Sequence, residues 1–503
     1  MKRYLYLWHR WLGIGLCLFM ALWFFSGVVM LYVGYPKLTP REHFAHLPVL
    51  NLQDCCVDLA AAVDAADPQR APASIRLSTV AGEPRYLFSY PGRSNVAVDA
   101  RTGLRVPLTG REQALAAAHQ YAPLATARYQ GAVQEDLWSH SRALDADRPL
   151  QRVQLADADG TLLYLSGQTG EVVRDASALE RGWNLVGAWL HWLYPLRGIG
   201  MDGLWSNLVI YLSLTATVMA VLGAVIGVLR WRFNRPYRSG SRSPYQGFAR
   251  WHHVGGLLFG VLAITWIFSG LMSMNPWRIF SSSAPLDTAA YQGGPLTAKA
   301  FPVSAAHALS RFADDGLVAR QLEWRLIGGE GYVIGYDGGG RTRVLSMADG
   351  QVLRRLPREA LERAAQAIQP QGKMRSEQLD AYDFYYYARA EQSMLGHLEK
   401  RLPALRVRFD DPQQTWLHLD LYTGEVSGVL DQPKRVSRWL FALLHSWDWL
   451  PLLQRRPLWD IWMIAFSIGG LILSVSGVVL GWRRLSRGKT SRVNPRPQGK
   501  CTD

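Results

Sequence analysis

Four stretches of the chain carry no formal charge over more than twenty residues: Trp11–Val33, Asn207–Leu229, Val254–Met274 and Ile461–Trp482. A helix needs about 20 mainly apolar residues to cross bilayer hydrocarbon, and lipid admits only helices or closed barrels. Each stretch is therefore expected to be a membrane-spanning helix. The first reads as a retained anchor: its apolar run is too long for a signal peptide, and Tyr35-Pro36-Lys37 follows it in place of a small-residue cleavage site.

Between the spans lie two long regions with a different pattern. In the first, Leu59–Ala66 reads as a helix ahead of the strands SIRLST, RYLFSY and NVAVDARTG. Arg111–Tyr121 reads as a second helix ahead of RVQLADADG and LLYLSGQTGEV. In the second region Ala305–Phe312 precedes LEWRLIG, YVIGYDGGG and TRVLSMADG, and Arg358–Ile368 precedes LRVRFDDPQQTWLHLDLYTGEV. Short runs closed by Gly and Asp turns predict antiparallel strands, so each region is expected to hold a helix on a small sheet, twice. The expected segments are 1–33, 34–203 (outer domain), 204–230, 231–252 (basic loop), 253–274, 275–457 (second outer domain), 458–482 and 483–503 (basic tail).

The chain repeats itself. WHRWLGIGLCLFMALWFFSG (8–27) aligns without a gap on WHHVGGLLFGVLAITWIFSG (251–270), an offset of 243. At an offset of 254, TGEV (169–172) matches TGEV (423–426), His191 matches His445, Leu204-Trp205 matches Leu458-Trp459, and Gly223 and Gly227 match Gly477 and Gly481. One unit of helix, outer domain and helix is thus expected twice, both copies running in the same direction, with a pseudo-axis along the membrane normal.

Charge fixes the orientation. The net charge is +15, and residues 1–11, 230–252 and 483–503 together carry all of the excess. Positive charge flanking apolar spans marks the cytoplasmic side. Both termini and the 231–252 loop are therefore expected in the cytoplasm, and the two outer regions in the periplasm of a bacterial inner membrane. Basicity placed in this way argues against nucleic-acid binding. Twenty Trp and 21 Tyr suit the two membrane–water boundaries. Cys55 and Cys56 are read as small residues without a special role, four Cys being too few to staple a fold; no CxxCH occurs for covalent haem.

The helix-plus-strand units ending in DARTG (99–103) and TGEV, and the phrase RVRFDDPQQTWLHLDLYTGEV with WH opening two spans, resemble the PepSY-associated transmembrane family. The resemblance covers nearly the whole chain. It implies a membrane α-helical bundle of four transmembrane helices with two periplasmic α+β (PepSY-like) domains. Some members of that family are similar to ferric-siderophore reductases in which helix histidines hold b-type haems; others have no assigned activity.

Of the 12 His, those at 43, 46, 119, 140, 307, 397 and 418 lie in the outer regions without metal-ligand spacing, and surface or structural roles are expected. His9, His252, His191 and His445 are different, because an ionisable group at membrane depth is costly and marks function by default. His9 and His252 occupy equivalent repeat positions, and so do His191 and His445. Two imidazoles facing each other across a bundle can ligate one iron axially. Two haems b, one near each boundary, would form a wire across the bilayer. A His beside Trp can also be an interfacial anchor; four in two equivalent pairs favour ligation. His253 has no repeat partner and is a secondary candidate. Gly13, Gly15, Gly255, Gly256 and Gly260 could let helices approach or leave room for a porphyrin.

No GxGxxG in a βαβ unit, Walker sequence, HExxH or GxSxG is present, so the electron donor must be separate: a cytoplasmic reductase or quinol. The expected function is a membrane ferric reductase, passing electrons to a ferric-siderophore or other ferric complex. Asp410-Asp411 and the run Asp383–Tyr387 are candidates to line that acceptor site or, more simply, part of a folded surface. The alternative is a non-enzymatic membrane module whose outer domains bind a periplasmic peptide, protease or partner.

Overall fold

A computed structural model of the chain describes residues 2–51, 55–198, 202–282, 286–394, 396 and 398–490. It divides into two units: one built from the chain up to Val33, Leu185–Ser281 and the chain from Pro433 on, the other from Gly34–Asn184 and Ser282–Gln432.

The first unit contains α1 (Lys2–Met30), α2 (Asp202–Arg230), α3 (Gly247–Ser273) and α4 (Leu458–Thr490). All four are long and apolar enough to cross a membrane, so the chain is a multi-pass membrane protein. The helices extend past the uncharged stretches: α1 begins at Lys2 rather than Trp11, which places His9 inside the helix. Lys, Arg and Leu are good helix formers, and long cationic side chains reach the interface from a helix end. Helix α1 packs against α2 and α4, and α3 packs against the same two. Leu16, Met20, Phe24, Ala216, Met219, Trp266 and Trp459 fill the shared core. At Gly469 and Gly470 of α4 a methyl group would stand 2.4 Å from ring carbons of Phe259 and Phe24 respectively, so glycine is what admits both rings.

Before α2 and α4 the chain makes short helical segments, and each contains a wide π-type turn, at Leu185–Trp189 and at Arg438–Leu443. Just beyond them Leu193 and Trp447 adopt left-handed backbone angles, φ 53° and 50°. Bulky residues seldom do so without support from their surroundings.

The second unit is built on three antiparallel sheets. The first half supplies β1 (Ser74–Val80), β2 (Glu83–Ser89), β3 (Val96–Asp99), β4 (Ala127–Val133), β5 (Leu150–Leu155), β6 (Leu162–Ser166) and β7 (Val172–Ala176). The second half supplies β8 (Gln321–Ile327), β9 (Glu330–Tyr336), β10 (Thr342–Ser346), β11 (Val352–Leu353), β12 (Met374–Leu379), β13 (Ala404–Phe409), β14 (Trp416–Asp420) and β15 (Val426–Leu430). Strands β4–β7 and β12–β15 form two four-stranded sheets, which bury helices Arg111–Tyr121 and Arg358–Gln366.

The outer regions, expected as one domain each, share the third sheet, whose order is β11-β10-β9-β8-β1-β2-β3. Ile75 of β1 lies opposite Trp324 of β8, Arg76 opposite Glu323, and Leu77 opposite Leu322. Each half alone would leave an apolar strand as an open sheet edge, and pairing the two removes both edges. Ile75, Leu77, Leu322 and Trp324 then join one core with Ala62 and Phe312 of the covering helices. Cys55 and Cys56, read as having no special role, are bonded to each other and pack against this core.

Most outer histidines are accounted for by the fold. His46 stacks on Tyr121 at 3.7 Å, His140 pairs with Glu135, and His43 is hydrogen-bonded to Gln321 at 3.1 Å. His119 and His307 are exposed, and His397 lies outside the described residues. His418 is buried: it accepts from Arg406 Nε at 2.8 Å and stacks on Tyr386. Two of the acids singled out in the sequence are held by the fold. Asp383 accepts from the Tyr385 and Tyr386 amides and pairs with Arg406 at 2.6 Å, while Asp411 accepts from the Thr415 hydroxyl at 2.7 Å.

Burial, reinforced by Arg406 and Lys400, lowers His418 from its ordinary 6.5 to about 3. Above 6.5 the ring is neutral whether folded or unfolded. As pH falls below that value, the unfolded chain gains a proton that the buried ring refuses. The unit should therefore lose stability by up to about 1.4 kcal/mol per pH unit between about pH 6 and about pH 4. Unfolding of the detergent-solubilised protein followed by Trp fluorescence checks this: His418→Gln should flatten the slope, and an unchanged slope would assign it to other groups.

Candidate functional site

Two histidine pairs lie within the first unit. The rings of His9 (α1) and His252 (α3) have centroids 6.2 Å apart and planes tilted by 38°. Those of His191 and His445, from the segments preceding α2 and α4, are 6.0 Å apart and tilted by 69°. His9 and Ser26 stand 17 positions apart on α1, as do His252 and Ser269 on α3. That spacing is about 25 Å of helix at 1.5 Å per residue. Because Ser26 and Ser269 contact His191 and His445, the two pairs occupy opposite ends of the bundle.

Each ring is held through one nitrogen. His9 Nδ1 lies 3.1 Å from the Met219 carbonyl oxygen on α2, and His252 Nδ1 lies 3.1 Å from that of Leu473 on α4. A carbonyl only accepts, so in the neutral ring Nδ1 carries the proton and Nε2 the free lone pair. The other pair reaches the same tautomer through serine. Ser26 Oγ donates its one proton to the Leu22 carbonyl at 2.6 Å and so accepts from His191 Nδ1 at 3.1 Å. Ser269 donates to Trp266 at 2.9 Å and accepts from His445 Nδ1 at 3.0 Å. Among the described residues no hydrogen bond engages the Nε2 of any of the four rings.

Glycines back every ring. A methyl group at Gly223 of α2 would stand 2.6 Å from His9 Cε1, and one at Gly477 of α4 would stand 3.3 Å from His252 Cε1 and 2.5 Å from Cys17 Sγ. At Gly27 and Gly270 the distances to His191 and His445 Cε1 are 3.5 and 3.8 Å. The contacts recur in register: Met219 and Leu473 are 254 positions apart, as are Gly223 and Gly477. Indole donors recur too, Trp205 to the Trp192 carbonyl at 2.7 Å and Trp459 to that of Ser446 at 3.0 Å, fastening each outer His segment to the span that follows.

The four residues fit a haem iron. Two imidazoles that held one iron between them would have ring centroids about 6 Å apart. The acceptor of each Nδ1–H fixes its ring, as the support behind a ligand histidine would. Gly255 and Gly260 on α3 are buried, yet no atom lies within 4 Å of where a methyl would stand on either, whereas Gly15 is exposed and its open side is the outside of the bundle. Gly13 and Gly256 instead meet side chains of α2 and α4, Met219 Sδ at 3.9 Å and Leu473 Cδ1 at 3.7 Å. Among the described residues no group of three or more His, Cys, Asp or Glu could cage a bare metal ion. His253, the secondary candidate, has both nitrogens engaged, by Ser243 at 2.8 Å and the Gly227 carbonyl at 2.9 Å. It clasps the basic loop to the end of α2 and has no lone pair to offer.

The sequence reading named the four histidines and missed Ser26, Ser269 and Ser476. Its only signal for the first two was the FSG ending common to the two WH-led spans. A family described as PepSY-associated TM region matches residues 6–328. No match was found among curated proteins.

Proposed function

We propose that this chain, which belongs to the PepSY-associated transmembrane family, is an internally duplicated bacterial inner-membrane protein that binds two haems b and passes electrons outward to a ferric complex. The observation that carries the reading is the pairing of four imidazoles at 6.2 and 6.0 Å, each proton-fixed at Nδ1 and unengaged at Nε2. An interfacial anchor needs neither a partner ring nor a fixed tautomer. Haem b supplies one-electron redox chemistry when bound.

The chain's own residues do the rest. Met219, Leu473, Ser26 and Ser269 aim the rings; the apolar core around Leu16, Met20 and Trp266 keeps water from the path. The recurrence of contacts at one offset supports duplication. The Lys and Arg flanking the spans support cytoplasmic termini and a periplasmic second unit. Electrons enter from a cytoplasmic reductase or quinol at the His9/His252 end and leave at the His191/His445 end. Ferrous iron binds hard oxygen ligands more weakly than ferric iron, so reduction would release the metal from a siderophore.

Proteoliposomes test this. With a reductant on the cytoplasmic side and a ferric chelate plus a ferrous-specific dye on the other, the haem-loaded wild type should colour the dye. His9→Ala and His445→Ala should fall to the rate of empty vesicles. Equal rates for wild type and variants would contradict the reading.

A further inference from the structure

Helix α2 runs into a basic segment that is folded and fastened. The Arg232 amide donates to the Arg242 carbonyl at 3.1 Å, and the Tyr237 amide to that of Ser241 at 2.9 Å, closing residues 232–242 into a small loop. His253 of α3 clasps it. Its Nε2–H donates to the Gly227 carbonyl at 2.9 Å, which leaves Nδ1 to accept from the Ser243 hydroxyl at 2.8 Å. Three arginines gather there. The Arg230 guanidinium lies 4.9 Å from the centre of the Tyr6 ring of α1, and that of Arg232 lies 4.0 Å from the centre of the Tyr237 ring. The Tyr237 hydroxyl donates to the Arg230 carbonyl at 2.9 Å, and the main-chain bond between Arg232 and Arg242 sets those two side by side. Residues 1–11 and 230–252 contain no Asp or Glu, so nothing in these segments neutralises the three, and all three are exposed.

We propose that Arg230, Arg232 and Arg242 form a site for the phosphate of an anionic phospholipid, with Tyr6 and Tyr237 holding two of the guanidinium groups and His253 as the positioning residue that fixes the loop. The site does not depend on haem. Depth points to a lipid. Trp8 and Trp251, equivalent in the two repeats, are 60% and 67% exposed, and such rings settle at the membrane–water boundary. Tyr6 is two residues from Trp8, about 3 Å of helix, so the Arg230–Tyr6 contact stands where headgroup phosphates lie. Residues 230–252 hold six Arg, and a cluster of that size directly beside a span attracts anionic lipid. A guanidinium binds phosphate through paired N–H donors. With no carboxylate in the loop to receive an ammonium group, a headgroup of net negative charge fits better than a zwitterionic one.

Orientation in the membrane does not account for the arrangement. The positive-inside bias depends on how many Lys and Arg flank a span and is indifferent to their contacts. It needs neither a ring under Arg230 and Arg232 nor a histidine with both nitrogens engaged in holding the loop. Among the described residues Arg235, Arg238 and Arg250 make no such ring contact, and they supply a comparison within the same segment.

Native mass spectrometry of the purified full chain, titrated with phosphatidylglycerol or with phosphatidylcholine of the same acyl chains, tests the proposal. Wild type should bind phosphatidylglycerol about tenfold or more tightly than phosphatidylcholine. Arg230→Gln/Arg232→Gln/Arg242→Gln should lose that preference, whereas Arg235→Gln/Arg238→Gln/Arg250→Gln, which removes the same charge, should keep most of it. His253→Ala keeps every arginine; it should weaken phosphatidylglycerol binding severalfold and leave phosphatidylcholine binding alone, a result that stands even if a triple variant fails to fold. Inorganic phosphate in excess should not displace the lipid. Four results would overturn the proposal. Equal affinity of wild type for the two lipids would leave the loop to an acidic protein partner. Equal losses in the two triple variants would reduce the site to net charge. Unchanged phosphatidylglycerol binding in His253→Ala would remove the role of the clasp, and displacement by phosphate would identify a soluble anion as the ligand.

Discussion

Replacing His9 by alanine should strip the protein of one haem and leave the other, lowering the haem-to-protein ratio by about half. The expectation follows from geometry. The His9 and His252 rings stand 6.2 Å apart, so on the haem reading each would hold the same iron, and neither has another imidazole beside it with a free nitrogen to take over. His253 is the next residue along, but the Ser243 hydroxyl and the Gly227 carbonyl occupy both of its nitrogens. His252→Ala should therefore give the same loss as His9→Ala, and the double variant no more than either single one. His191→Ala and His445→Ala should remove the other centre in the same way. Pyridine haemochrome assay of the purified variants reads the ratio directly. His253→Ala, which touches neither pair, should keep both haems.

The second large effect is expected from a single methyl group. Gly223→Ala sets a carbon 2.6 Å from His9 Cε1, closer than non-bonded carbons stand. The ring must turn or the helices must part. Either movement would break the Nδ1 bond to the Met219 carbonyl, worth about 1 kcal/mol, and change the pairing with the His252 ring. Haem affinity at that centre should fall about tenfold or more, the range found when outer-shell support of a metal ligand is removed. Gly270→Ala provides the contrast within the same bundle. Its methyl would stand 3.8 Å from His445 Cε1, an ordinary contact, and binding should be near that of wild type. Haem titration of the two variants, read at the Soret band, separates a specific ring clash from a general intolerance of helix glycines.

Much of this arrangement was legible in the sequence because duplication turns spacing into geometry. Once WH at 8–9 aligned on WH at 251–252, His9 and His252 had to share a depth, and the offset of 254 did the same for His191 and His445. The four spans and the PepSY-associated family followed from hydropathy and from the TG turns. What stayed hidden depends on contacts between elements distant in the chain. Ser26 looks like any serine that bonds its own helix until His191, 165 positions away, is brought against it. The pairing of β1 with β8 joins residues 75 and 324, and nothing in either strand's alternation names its neighbour. His418 read as one more outer histidine because burial on a sheet leaves no mark on ligand spacing. The Cys55–Cys56 bond was passed over because counting cysteines says nothing about adjacent ones.

The central claim is that paired imidazoles grip iron inside the membrane. The most direct measurement is a reduced-minus-oxidised visible spectrum of the purified full chain, expressed with haem supplementation. The account predicts a Soret band and the sharp α-band of low-spin b-type haem with two axial histidines, at about two haems per chain. A colourless protein under those conditions would contradict it, and would favour a non-enzymatic module that binds a periplasmic partner.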